Sequence, residues 1–159
     1  MKIPTELKHK PVVVSEDYDQ IDGGYSGNSD AKGLSVGLAQ WNDRGKVDAS
    51  AKVWRHTGGK WSNTSEELPL HRALDLAILI CRTEQYFRGT GQSEKLYDES
   101  DPLIDSIALQ GGVMDISVCV GNEMICEDIR LLQGALARSE ELLDERLRRL
   151  SDILKAMGY

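Results

Sequence analysis

Positive charge is in short supply: 19 Lys and Arg stand against 26 Asp and Glu in 159 residues, a net charge of −7. Nonspecific DNA binders and proteins that sit on anionic membranes need the opposite excess, so neither nucleic acid nor membrane is an expected partner. Long apolar runs are missing too. The opening MKIPTELKHKPVVV has lysines but only Pro11–Val14 as its apolar run, too little for a signal peptide. The greasiest stretch, ALDLAILIC, contains Asp75 and falls well short of the roughly 18 residues that a membrane span requires. Cysteine is scarce and odd in number, with Cys81, Cys119 and Cys126 and no CxxC spacing. That excludes a disulfide framework or zinc ribbon and reads as reduced, mostly buried thiols. The expected address is cytoplasmic.

Histidine is limited to His9, His56 and His71. None sits in a nucleophile elbow, and GxSxG is absent; GGYSGN stops short because residue 28 is Asn. A zincin-type helix would need a second histidine at 75 and a glutamate at 72, where the chain has Asp75 and Arg72. His71 and Asp75, one turn apart beside Arg72, read instead as a surface salt-bridge and hydrogen-bond cluster. No catalytic residue, metal ligand or cofactor is assigned. The alternative of a hydrolase or transferase rests on dispersed groups, Asp19, Asp22, His56 or His71.

With 40% hydrophobic and 28% charged residues, the composition is that of a chain with a real core. There is no internal repeat or low-complexity tract, and the length fits a single domain over 1–159. EDYDQIDGGYSGNSDAKG, residues 16–33, is dense in carboxylates and glycines. It fails the calcium-loop pattern, with Ile21 and Asp22 where an oxygen ligand and a glycine belong, and the phosphate-loop pattern, with Ala31 before Lys32 and Gly33 after it. Turn chemistry accounts for it.

Pro11–Val14 opens a short strand. Leu34, Val36 and Leu38 then alternate with small residues, and Ala49, Ala51 and Val53 alternate with Lys52, Trp54 and His56. With the turn-rich NDRGKVD between them, residues 34–56 predict an antiparallel hairpin, and a short third strand follows TGGK around 60–62. If the hairpin pairs residues whose numbers sum to an even value, Trp54 joins Leu34, Val36 and Leu38 in the core. An odd sum aligns that face with Ala51 and Val53 and turns Trp54 outward.

Thr64 and Glu67 form a possible capping box, with Pro69 early and Gly89 placed to stop a helix over 69–88. Between Leu70 and Cys81 only His71, Arg72 and Asp75 are polar, so this helix must be covered on several sides. GTGQSEKLYDES is then an exposed loop. Asp101-Pro102 and Gly111-Gly112 bracket a short helix over 102–110. VMDISVCV is read as a strand with its turn at Gly121-Asn122. From Glu123 to Met157 apolar residues recur every three or four positions, and Gly134 and Ser139 divide the region into two helices. The expected fold is α+β: a small antiparallel sheet packed on a buried central helix, with a long amphipathic C-terminal helix or helix pair.

WRHTGGKW gathers Trp54, Arg55, His56, Lys60 and Trp61 around a glycine turn in an acidic protein. Indole faces stack on planar rings and on cations, and Arg and Lys meet anionic oxygens. These five residues are the candidate site for a small anionic, planar ligand such as a nucleotide. The bland alternative is that Trp54 is simply core.

The stretches KHKPVVVSEDYD, SDAKGLSVGLAQWND, WRHTGGKWS and EELPLHRALDLAILICRT, together running from Lys8 to Thr83, resemble a bacterial family catalogued only as a domain of unknown function. The resemblance implies a bacterial or phage cytoplasmic source and carries no activity, cofactor or functional residue. From the residues alone, the leading expectation is a noncatalytic module that binds a partner, most simply another copy of itself through its leucine-rich C-terminus.

Overall fold

The computed structural model describes residues 1–43, 47–62, 65–89 and 95–159, residue 89 by its backbone. Thr64, the middle of the NDRGKVD turn and the start of the loop after Gly89 lie outside the described residues. The chain resolves into two compact units, Met1–Ala77 and Ile78–Tyr159.

The first unit is built on an antiparallel sheet of five strands: β1 (Lys10–Glu16), β2 (Ala31–Leu38), β3 (Ala49–Thr57), β4 (Lys60–Trp61) and β5 (Glu67–Pro69). The order runs β1-β2-β3, and β3 then shares its far edge between β5 and β4. The alternation at 34–38 and 49–53 becomes the β2–β3 ladder, and the tight turn at Gly58-Gly59 leads into β4. Both glycines have positive φ, 55° and 79°, which residues with a Cβ rarely adopt.

The β2–β3 register resolves the position of Trp54. Leu34 lies opposite Val53 and Val36 opposite Ala51, the odd-sum pairing. Trp54 therefore sits on the face away from Leu34, Val36 and Leu38, yet it is only 1% exposed. The face expected to be wet is the covered one. The segment before β1 folds over it, burying Ile3 and His9. A Cβ on Gly33 would come within 2.7 Å of Ile3 Cδ1, so the missing side chain makes room for Ile3. Gly37 is tighter still: its Cβ would lie 2.0 Å from the carbonyl oxygen of Lys10, so β1 approaches β2 closely only because residue 37 has none. The opposite, apolar face is the open one, with Val36 and Leu38 exposed. Leu34, Val36, Val53 and Leu68 line a groove of about 440 Å³ there.

Helix α1 (Leu70–Gly89) follows β5 directly, and Ala73 in its first turn closes that groove. Of the capping-box pair, Thr64 lies outside the described residues, and Glu67 belongs to β5 and turns its carboxylate into the sheet's covered face. Nor is α1 covered on several sides. Leu74 and Ile80 are 63% and 50% exposed, and only Glu84 and Phe87 are buried among its described side chains. The helix crosses the boundary between the two units, its residues up to Ala77 belonging to the first and those from Ile78 to the second.

The second unit contains the end of α1, a hairpin of β6 (Leu103–Leu109) and β7 (Gly112–Ser117), and the pair α2 (Ile125–Arg138) and α3 (Glu140–Met157). Residues 103–109 form a strand, not the helix expected over 102–110. Leu109 pairs with Gly112, and Gly111, at φ 94°, supplies the turn instead of a helix stop. Ser139 does divide the two C-terminal helices. Phe87, Val118 and Ile129 form the buried core, joined by Tyr86, Ile104, Ile125 and Leu136. Ion pairs Arg82–Asp105 at 2.7 Å and Arg88–Asp144 at 2.6 Å tie α1 to the hairpin and to α3. Of the three thiols only Cys81 is partly covered; Cys119, after β7, and Cys126, in the first turn of α2, are exposed, contrary to the expectation of mostly buried cysteines. The fold class is α+β, an antiparallel sheet of five strands with a central helix packed on it and a C-terminal helix pair.

Candidate functional site

The covered sheet face is polar at its centre. Ser35 on β2, Ser50, Lys52 and Trp54 on β3, and Glu67 on β5 all point to the side on which His9 lies, because alternate residues of a strand share a face. The imidazole is the hub. Its Nδ1 lies 3.0 Å from Glu67 Oε1 and 3.1 Å from Ser50 Oγ, and its Nε2 lies 2.9 Å from Ser35 Oγ. Trp54 donates its indole N–H to Ser35 Oγ at 2.8 Å. The pattern is satisfied when Nδ1–H donates to Glu67 and the Ser35 hydroxyl donates to Nε2.

Glu67 also accepts from the Ser50 hydroxyl at 2.7 Å, the Gln40 backbone N–H at 2.9 Å and the Lys52 ammonium at 3.2 Å. Its side chain is 1% exposed and that of Lys52 9%. Burial pushes the Glu67 carboxyl up, but the donors from Ser50, Gln40, His9 and Lys52 outweigh it and hold the group below the usual carboxylate range. Lys52 also lies over the Trp54 ring, 4.8 Å from its centroid.

Ser35, His9 and Glu67 thus stand in the order and at the distances of a serine–histidine–carboxylate relay. The setting denies them that chemistry. Ser35 is 5% exposed in the middle of the central strand, between Val14 and Lys52, and its Oγ already receives the Trp54 N–H. Its backbone N–H belongs to the sheet rather than to an oxyanion hole, so a substrate carbonyl finds neither approach nor stabilising donors. What the arrangement does is hold the N-terminal segment on the sheet through a buried polar plug. Each buried polar group in it is paired, which is the condition for such a plug to stabilise.

The five residues of the glycine turn are brought to one end of β3 and β4, in different circumstances. Trp54 meets His9 and Trp61 edge to face, with centroids 5.6 and 5.9 Å apart, and its indole lies inside the fold. His56 stands edge-on to Trp61 at 5.2 Å. Arg55 is clamped between carboxylates: Glu66 takes its Nη2 at 2.6 Å and its Nε at 3.0 Å, and Asp30 takes Nη1. Hydrogen bonding to Glu66 raises the Arg55 pKa further despite partial burial, and the same bond lowers that of Glu66. Lys60 is exposed at the start of β4.

The carboxylates of residues 16–33 are engaged by groups both near and distant in the chain, Asp30 by Arg55 as above. Asp17 takes the N-terminal ammonium, Asp19 pairs with Lys32 at 2.8 Å, and Asp22 takes the Ser29 hydroxyl. Among the described residues no group of three or more His, Cys, Asp or Glu side chains could hold a metal ion, and no helix is long and apolar enough to cross a membrane.

Reasoning from sequence missed His9, Ser35, Ser50 and Glu67 as a set. A signal was present: Gly33, Ser35 and Gly37 make the Trp54 side of the hairpin a face of minimal side chains, which invites close cover by another segment. No curated protein and no solved structure matches the chain. The family of unknown function DUF6530 matches residues 1–159, well beyond the run from Lys8 to Thr83, and the chain belongs to that family.

Proposed function

We propose that the chain is a noncatalytic module that binds a partner, and that the partner is a second copy of itself. The observation that carries this reading is the uncovered apolar stripe at the end of α3. Leu143, Leu147, Leu150, Leu154 and Met157 recur at alternating steps of four and three, the spacing with which one helix seats against another. Leu143 and Leu147 are half-buried in their own chain, but Leu150, Leu154 and Met157 are exposed, as is Ile153 beside them. A stripe of this kind on a helix that is otherwise heavily charged loses water-exposed apolar area when a matching stripe meets it.

The alternative of an anionic planar ligand at the glycine turn draws less support. Trp54 offers no open ring face, and Arg55 is already committed to Asp30 and Glu66. The hydrolase or transferase alternative rests on Asp19, Asp22, His56 or His71, and both carboxylates are already engaged, Asp19 by Lys32 and Asp22 by the Ser29 hydroxyl. Sedimentation velocity over roughly 1 to 100 µM, the range in which a small helix–helix contact associates, tests the proposal. The weight-average mass should climb from one chain toward two. A mass fixed at one chain throughout would remove the homo-oligomer.

A further inference from the structure

We infer that the two chains pair through antiparallel C-terminal halves of α3, with the two-fold axis at the level of Asp152; the inference rests on the self-association proposed above and fixes its geometry. Three observations point there. The exposed part of the stripe is confined to the last turns of α3, from Leu150 onward, while Leu143 is partly covered and Asp144, in the same stretch of helix, is held by Arg88. An isologous contact must therefore overlap the C-terminal halves.

The stripe is also self-complementary in the reversed direction. With residue numbers summing to 304, Leu150 meets the partner's Leu154 and Leu147 meets the partner's Met157, so each layer joins the two alternating positions of the seam. The residues flanking the seam near the axis, Ser151 on one side and Ile153 on the other, are uncharged. Flanking charges are what direct a helix toward a different partner. Here each flanking residue meets its own copy across the axis, hydroxyl by hydroxyl and isoleucine by isoleucine. The helix then ends where the seam ends. Gly158, at φ 95°, returns its N–H to Lys155 O while Tyr159 N–H returns to Leu154 O, closing the last turn right after Met157.

The test uses Ser151→Glu and Ser151→Lys in the full chain, with far-UV circular dichroism to show that α3 is intact. In the antiparallel pair residue 151 faces itself. Either variant alone should associate about fivefold more weakly than the parent, as a close like-charge pair at a partly wet site does. An equimolar mixture should recover the parent's affinity by forming the mixed pair. A parallel pair gives the opposite sign, since residue 151 then faces Arg146 of the other chain. Ser151→Glu alone associating more tightly than the parent overturns the antiparallel geometry while leaving self-association standing. Unchanged association in both variants places the contact elsewhere and also overturns it. A parent chain that does not associate sinks the proposed function first. Nitroxide labels appended after Tyr159 give a second reading without altering the seam. Antiparallel halves separate the C-termini by about 20 Å, from a rise of about 1.5 Å per residue, whereas parallel helices bring them side by side.

Discussion

Glu67→Gln is the most informative perturbation of the buried plug, because it keeps the shape of the side chain and removes its charge. In the parent, the carboxylate receives Ser50, Gln40, His9 and Lys52, and the Lys52 ammonium is itself nine-tenths buried. The amide retains one oxygen for two of these donors and turns an N–H₂ toward the rest. Breaking a buried ion pair by removing one partner costs about 3–5 kcal/mol. The retained hydrogen bonds return roughly 1–2 of that, leaving a net loss of about 2–3 kcal/mol. In a unit of this size each kcal/mol moves the midpoint by about 4–8 °C, so a fall of at least about 8 °C is expected.

The assay is thermal and urea unfolding followed by tryptophan emission. Trp41, Trp54 and Trp61 all lie in Met1–Ala77, so the signal isolates that unit. A pH series adds a second readout. The folded Glu67 pKa is lowered from 4.5, so its contribution is fully present above that value and is lost as the pH falls through the lower, folded pKa. The parent should lose stability in that acid window, and Glu67→Gln should show a shallower slope there. A variant within about 0.5 kcal/mol of the parent, with the same acid slope, would refute the reasoning.

Three further outcomes follow from the same structure. His9→Ala should cost about 3 kcal/mol, through a cavity and the lost bonds to Ser35 and Glu67, and should shift Trp54 emission to the red as water enters; an unshifted spectrum contradicts the plug. Gly37→Ala places a Cβ against the Lys10 carbonyl and should lower the urea midpoint by the equivalent of about 2 kcal/mol or more, whereas an unchanged midpoint would mean that β1 yields freely. A thiol reagent on the folded protein should modify Cys119 and Cys126 well before Cys81, and equal rates for all three would contradict their placement.

The elements built from local pattern were legible in the sequence. The hairpin is written in the alternation at 34–38 and 49–53, and the break between α2 and α3 in Ser139 between two amphipathic runs. Residues 103–109 were not, because Asp101-Pro102 and Gly111-Gly112 punctuate a helix and a hairpin strand equally well. The choice is made by pairing with 112–117, a contact that periodicity does not encode. The covered face was missed for a similar reason. The odd register was open to reading, but its consequence depends on Ile3 and His9, which reach β2 and β3 from the far end of the chain. Glu67 shows the same limit: a residue spaced as a helix cap is recruited instead by a histidine 58 positions away. The candidate turn residues are indeed neighbours, yet the carboxylates of Asp30 and Glu66 that occupy Arg55 could not be placed beside it from spacing alone.

The central claim, that the end of α3 is the contact between two copies, is tested most directly by sedimentation equilibrium of the parent chain beside Leu154→Lys. Leu154 is 40% exposed, and the circular dichroism of the two proteins reports whether the substitution has left the protomer folded. The account predicts a reversible two-chain species for the parent and a single chain for the variant, with identical circular dichroism. Equal masses for the two proteins at every concentration would contradict it.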